Sequence, residues 1–200
     1  MRWGIVTDLK RCIGCESCVV ACKSENATPP DIFWAKVMER EEGKYPSVHK
    51  IFLPVRCNHC LKAPCVEVCP TGASSHRAED NLVLIDQEKC IGCQSCMIAC
   101  PYEARYLWEN SHGYYGDNLT PYEVQGYQKH RAGTVQKCDF CSDRISNGLD
   151  PACVQTCPTK ALKFGDVDDS NSEVSLLKRQ RTDFQLRPDL GTDPSVYYLG

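Results

Sequence analysis

The segment Cys90-Ile91-Gly92-Cys93-Gln94-Ser95-Cys96-Met97-Ile98-Ala99-Cys100-Pro101 constrains the chain more than any other. C-x-x-C-x-x-C-x-x-x-C-P is a ligand run for cubane [4Fe–4S] clusters. Three cysteines at two-residue gaps wrap one face of a cubane. The fourth, after a longer step, lies on a short helix and reaches a second cluster, while the proline keeps the backbone from closing over it. One such run therefore requires a partner run.

The other twelve cysteines form three more quartets: Cys12, Cys15, Cys18, Cys22; Cys57, Cys60, Cys65, Cys69; and Cys138, Cys141, Cys153, Cys157. None of the sixteen is left over. At four thiolates per cubane they provide for four [4Fe–4S] clusters. Zinc competes for Cys-x-x-Cys pairs, but three closely spaced cysteines with a fourth further on, four times over, fit a tetrahedral site poorly. Disulfides fit less well again in a chain of 200 residues with no secretory signal. The histidines (His49, His59, His76, His112, His130) are not needed as ligands. Only His59, inside Cys57-Asn58-His59-Cys60, lies close enough to tune a cluster; its plainer role is that of a loop residue.

With 42% apolar residues the chain can bury only a modest core, so the clusters are expected to supply part of the stability and the apo chain to be largely unfolded. A net charge of −3, spread along the chain, argues against nucleic acid as a partner. Met1 to Arg11 lacks the basic region and apolar run of a secretory signal. No stretch approaches the roughly 18 to 20 apolar residues needed to cross a bilayer. The expectation is a soluble protein held at a membrane through a partner, cytoplasmic unless co-exported with a signal-bearing partner.

Along the chain, Trp3 to Asp8 reads as a strand feeding the first quartet, and Leu82 to Asp86 does the same before the third. Asp8, Cys12, Ile13, Gly14, Cys15, Ser17, Cys18, Ala21 and Cys22 recur 78 residues later, an internal repeat. Ala63-Pro-Cys-Val-Glu-Val-Cys-Pro-Thr-Gly-Ala is answered 88 residues on by Pro151-Ala-Cys-Val-Gln-Thr-Cys-Pro-Thr-Lys-Ala. The fold class expected is α+β, a duplicated bacterial ferredoxin-like chain of two double-cluster modules with loop insertions and an extended C-terminal arm. Module A takes residues 1–27 and 137–165, module B residues 55–103, the insertions 28–54 and 104–136, and the arm 166–200. Gly14 and Gly92 are expected to let the backbone approach a cluster. Lys23, not proline, follows Cys22, so that exit is expected to continue as helix through Asn26. The second ligand-free stretch, with Tyr106, Trp108, Tyr114, Tyr115, Tyr122 and Tyr127, reads as a surface loop, either self-packed or a docking face. In the tail, Leu176 and Leu177 mark a short helix, and Lys178-Arg179-Gln180-Arg181 reads as a solvated face.

Catalysis by the chain itself is not expected: every cluster has four cysteines available, and no nucleotide loop, dinucleotide fingerprint or nucleophile motif is present. What remains is moving electrons.

The whole chain resembles the four-cluster iron–sulfur subunits of the molybdopterin (dimethyl sulfoxide reductase type) oxidoreductases. The resemblance is carried by Asp8-Leu-Lys-Arg-Cys-Ile-Gly-Cys, by Cys57-Asn-His-Cys with Ala63-Pro-Cys-Val-Glu-Val-Cys-Pro-Thr-Gly-Ala, and by Asp150-Pro-Ala-Cys-Val-Gln-Thr-Cys-Pro. It implies an electron-transfer subunit between a large molybdenum- or tungsten-pterin catalytic subunit and a quinone-reactive membrane subunit or another redox protein. A free polyferredoxin is the alternative. The resemblance also implies crossed ligand sets: Cys12, Cys15, Cys18 with Cys157; Cys138, Cys141, Cys153 with Cys22; Cys57, Cys60, Cys65 with Cys100; and Cys90, Cys93, Cys96 with Cys69.

Overall fold

The computed structural model describes residues 1–110 and 112–200. In chain order its elements are β1 (Trp3–Asp8), α1 (Ser17–Asn26), β2 (Ala35–Glu42), β3 (His49–Arg56), α2 (Pro64–Glu67), β4 (Ser74–His76), β5 (Val83–Ile85), α3 (Ser95–Ile98) and β6 (Tyr106–Trp108). There follow α4 (Pro121–Gly126), β7 (Thr134–Gln136), α5 (Ser142–Ser146), α6 (Ala152–Gln155), β8 (Leu162–Asp166), α7 (Glu173–Gln180), β9 (Asp183–Phe184) and β10 (Val196–Leu199). Mixed helices and small sheets of this kind are α+β, as expected. Among the described residues no helix is long and apolar enough to cross a membrane.

The strands tie together cysteine runs distant in sequence. β1, which leads into the first run, pairs antiparallel with β8, which leaves the fourth, in the register Ile5↔Phe164. β5, before the third run, pairs antiparallel with β4, which follows the second, in the register Ser75↔Leu84. The apolar, β-branched strands read in the sequence therefore form where expected, and their partners bring first to fourth and second to third. The exit after Cys22 does continue as α1 to Asn26, ending on Ala27 in the left-handed conformation.

The segment 28–54, which carries no ligand, supplies most of an antiparallel hairpin, β2 with β3, whose register runs from Ala35↔Arg56 to Glu42↔His49. Residues 104–136 are only partly a surface loop. β6 and β7 pair, and Trp108 and Tyr127 are buried edge to face with ring centroids 5.2 Å apart. Tyr114, Tyr115 and Tyr122 stay exposed. Between them Thr120-Pro-Tyr-Glu123 closes a capping box on α4, in which Glu123 also accepts from the Tyr114 amide at 2.7 Å.

The C-terminal stretch departs from the expected arm. After α7 it returns so that β10 lies parallel to β1, between β1 and β9, with every residue of β10 buried. Val196-Tyr-Tyr-Leu199 is a β-branched and aromatic run, and burial outweighs the polarity of the segment before it. Nor is 178–181 merely a solvated face. Lys178 lies 3.4 Å from the centre of the Tyr197 ring, and Arg181 forms a two-pronged ion pair with Asp8. Burial acts to raise the Asp8 carboxyl, but the Arg181 hydrogen bond and charge prevail and hold it below its ordinary value.

Candidate metal centres

In all four runs the residue just before the second cysteine has positive φ: Gly14 (+67°), His59 (+42°), Gly92 (+68°) and Phe140 (+58°). That shared turn points each Cys-x-x-Cys pair around one loop. The two glycines do more than tolerate it. A Cβ on Gly14 would stand 2.2 Å from the Phe52 ring, and one on Gly92 2.2 Å from the Gly133 carbonyl oxygen. Other segments of the chain therefore also pack closely against both glycines. In the second and fourth runs the equivalent residues, His59 and Phe140, pack ring against ring, tilted by 34°, with centroids 3.9 Å apart. His59 is fully buried. Its Nδ1 accepts from the Val83 amide at 3.2 Å, so Nε2 carries the proton and donates to the Cys138 carbonyl at 3.0 Å. Burial, reinforced by the nearby Lys137 charge, keeps the ring neutral. His59 is a fastener between two runs.

The fourth cysteine of each run stands near cysteines of another run. The Cys157 thiol lies within electrostatic reach of Cys12 and Cys18. Cys22 stands beside Cys153, Cys141 and Cys138. Cys57, Cys60, Cys65 and Cys100 line a single cavity together with Arg105. Cys69 faces Cys93 and Cys96, and Cys96 faces Cys90. Among the described residues no three His, Cys, Asp or Glu side chains converge closely enough to hold one metal ion. Thiols brought together from different runs suit the thiolate ligation of an iron–sulfur cubane.

Burial pushes the Cys60 thiol up to about 12 and Cys141 to about 11, and raises Cys22 and Cys138 as well. Such thiols ionise only where positive charge compensates them. Three buried cations stand nearby that the sequence did not single out: Arg56, Arg105 and Lys137. None of them makes an ion pair with a carboxylate among the described residues. Arg56 donates from Nη1 to Cys153 Sγ at 3.4 Å, while its Nε and Nη2 have no partner. Arg105 donates to Cys65 Sγ at 2.9 Å and Ser74 Oγ at 2.6 Å. Lys137 donates to the Cys138 carbonyl at 2.7 Å. A buried charge without a counter-charge is costly. Orphaned guanidinium donors among thiols fit an anionic, thiolate-ligated group lodged there. The only hint in the sequence was their position beside the runs, just before Cys57 and Cys138 and shortly after Cys100-Pro101.

The groups neighbour one another in sequence. Arg56 bears on Cys18 of the first and on Cys138 and Cys153 of the second. Tyr106 lies near Cys138 and Cys22 of the second and Cys100 and Cys57 of the third. Arg105 bears on Cys57 and Cys65 of the third and Cys96 of the fourth. Among the described cysteines, Cys15 and Cys93 are the exposed ones.

Residues 48–116 and 114–167 match one family model, and residues 11–73 another, each described as a 4Fe-4S dicluster domain. The chain is similar to the putative dimethyl sulfoxide reductase iron–sulfur subunit of Halobacterium salinarum, at 42% identity over 99% of this chain and 79% of the relative. It is 41% identical to a selenate reductase subunit of Mesobacillus selenatarsenatis, over 100% of this chain and 72% of the relative. It is 38% identical to the arsenate respiratory reductase iron–sulfur subunit ArrB of a Shewanella species, over 100% of this chain and 96% of the relative. With sixteen cysteines that fit four [4Fe–4S] clusters, the chain belongs to the non-catalytic, electron-transfer iron–sulfur subunits of the molybdopterin oxidoreductase family.

Proposed function

We propose that the chain conducts electrons between a molybdopterin (molybdenum or tungsten) catalytic subunit and a quinone-linked membrane subunit or another redox protein. The observation that carries this reading is the exposure pattern: of the four thiol groups proposed, the two outer ones hold the exposed cysteines, Cys15 and Cys93, and the inner ones show none beyond the half-buried Cys100. The clusters, when bound, supply one-electron exchange. The chain's own residues hold them in order and leave two ends for partners to meet.

The ligand sets are read as Cys12, Cys15, Cys18 and Cys157; Cys22, Cys138, Cys141 and Cys153; Cys57, Cys60, Cys65 and Cys100; and Cys69, Cys90, Cys93 and Cys96. The strand pairs β1·β8 and β4·β5 support a division into two modules, residues 1–27 with 137–165 and residues 55–103. The names of the relatives, subunits of reductases, favour a fixed catalytic partner over a free polyferredoxin, and contact with a membrane is proposed to run through a further partner.

The test is a pair of variants in the purified complex. Cys15→Ser and Cys93→Ser act at opposite ends, so one should impair exchange with a substrate-side dye and the other with an acceptor-side dye. On the family's arrangement Cys15 lies at the catalytic end. Two variants indistinguishable in both assays would sink the linear order, and a chain that purifies alone, carrying sixteen irons, would favour the free carrier.

A further inference from the structure

We propose that Arg56 and Arg105 set the reduction potentials of the clusters on either side of them, each as a fixed positive charge lodged between the two thiol groups of one module. The inference rests on the four-cluster electron-transfer reading. Both side chains are buried, at 4% exposure. Arg56, the last residue of β3, reaches across to the first and fourth runs. Its Nη1 lies 3.4 Å from Cys153 Sγ, and its charge bears on Cys18 and Cys138 as well. Arg105 stands 2.9 Å from Cys65 Sγ and bears on Cys57 and Cys96. Each therefore touches one group of its module and bears through its charge on the other.

A guanidinium stays protonated in proteins, is weakly hydrated for a cation and suits a buried site. Among the described residues neither arginine has a carboxylate to neutralise it, so its field falls on whatever anionic group the thiols bind. Reduction adds one electron to a group already negative, with no bond made or broken. In a water-poor interior a neighbouring cation favours that added charge strongly, and net charge and hydrogen bonds to sulfur are known levers on cluster potential. The same cation offsets repulsion between two reduced neighbours. Arg56 has a further mark of this role: Nε and Nη2 are buried with no acceptor. Lys137 differs, since its ammonium donates to the Cys138 carbonyl at 2.7 Å.

The test is a mediator-poised redox titration followed by electron paramagnetic resonance, on the anaerobically purified complex with iron counted first. Arg56→Gln should lower the midpoints of two clusters and leave the other two in place. The expected shift is at least about tenfold in the reduced-to-oxidised ratio at fixed potential, about 59 mV for a one-electron couple. Arg105→Gln should move the complementary pair. Arg56→Lys and Arg105→Lys, which keep the charge, should stay close to the parent. Unmoved midpoints in iron-replete glutamine variants, equal movement of all four, or lysine variants that shift as far as glutamine ones overturn the proposal. If a glutamine variant loses its iron, the matching lysine variant decides: parental midpoints uphold the role of charge, and lowered ones refute it. A parent protein with fewer than sixteen irons fails the four-cluster reading instead, before any variant is titrated.

Discussion

Gly72 and Gly92 share a backbone conformation, with φ of +67° and +68°. Their surroundings differ. A Cβ on Gly72 would meet nothing within 4 Å, whereas on Gly92 it would press against the Gly133 carbonyl at 2.2 Å. Alanine at either position carries the left-handed strain of about 1–2 kcal/mol. At 92 it must also displace the chain after β6, at a further cost of about 1–3 kcal/mol. Gly92→Ala should therefore unfold at lower denaturant than Gly72→Ala, as urea denaturation of the iron-replete protein would measure. Equal midpoints would mean that the Gly133 segment yields freely. Gly92 is visible in the motif, but its neighbour Gly133 lies 41 residues away in the chain and no spacing rule connects them. His59 is the parallel case: a loop residue by position, yet one that joins the fourth run through Nε2 and β5 through Nδ1.

Among the elements, β10 changes most between sequence and structure. Val196, Tyr198 and Leu199 are completely buried, and Tyr198 donates to the Pro54 carbonyl at 3.0 Å. Burying each such side chain contributes about 1.5–3 kcal/mol, so removing the strand should take several kcal/mol from a total of about 5–15. A chain ending at Asp193 should be iron-poor and insoluble when expressed with its partners. Full iron content in that truncation would restore the tail as a dispensable arm. At α4 the signal is local to the sequence, because Thr120-Pro-Tyr-Glu123 is a capping box with proline at the first helical position. Thr120→Ala should cost about 1 kcal/mol, read as faster amide exchange at Tyr114 and Glu123.

For the whole molecule, stability and cofactor are one problem. Arg56, Arg105 and Lys137 are buried without carboxylates, and burial pushes thiols such as Cys60 up to about 12. Without iron this interior holds cations lacking counter-ions, so chelating the clusters should abolish cooperative structure and flatten the circular dichroism signal. A native-like spectrum in the apo protein would show that the small sheets stand alone. Iron and sulfide assays should each return sixteen per chain; a value near eight, or stoichiometric zinc, would remove the basis for four clusters.

Much of this was legible in the residues themselves. Cysteine spacing is local, and a four-thiolate cubane leaves few alternatives, so the number of clusters, the strand before each Cys-Ile-Gly-Cys run and the helix through Asn26 followed from the sequence. Which thiols share a neighbourhood did not follow from spacing alone, because it depends on β1 pairing with β8 and β4 with β5 across the chain. The buried arginines were hidden for the same reason. Charge and sequence position say nothing of burial, and only packing puts Arg56 beside Cys153, 97 residues away, and the polar tail's last strand beside the first.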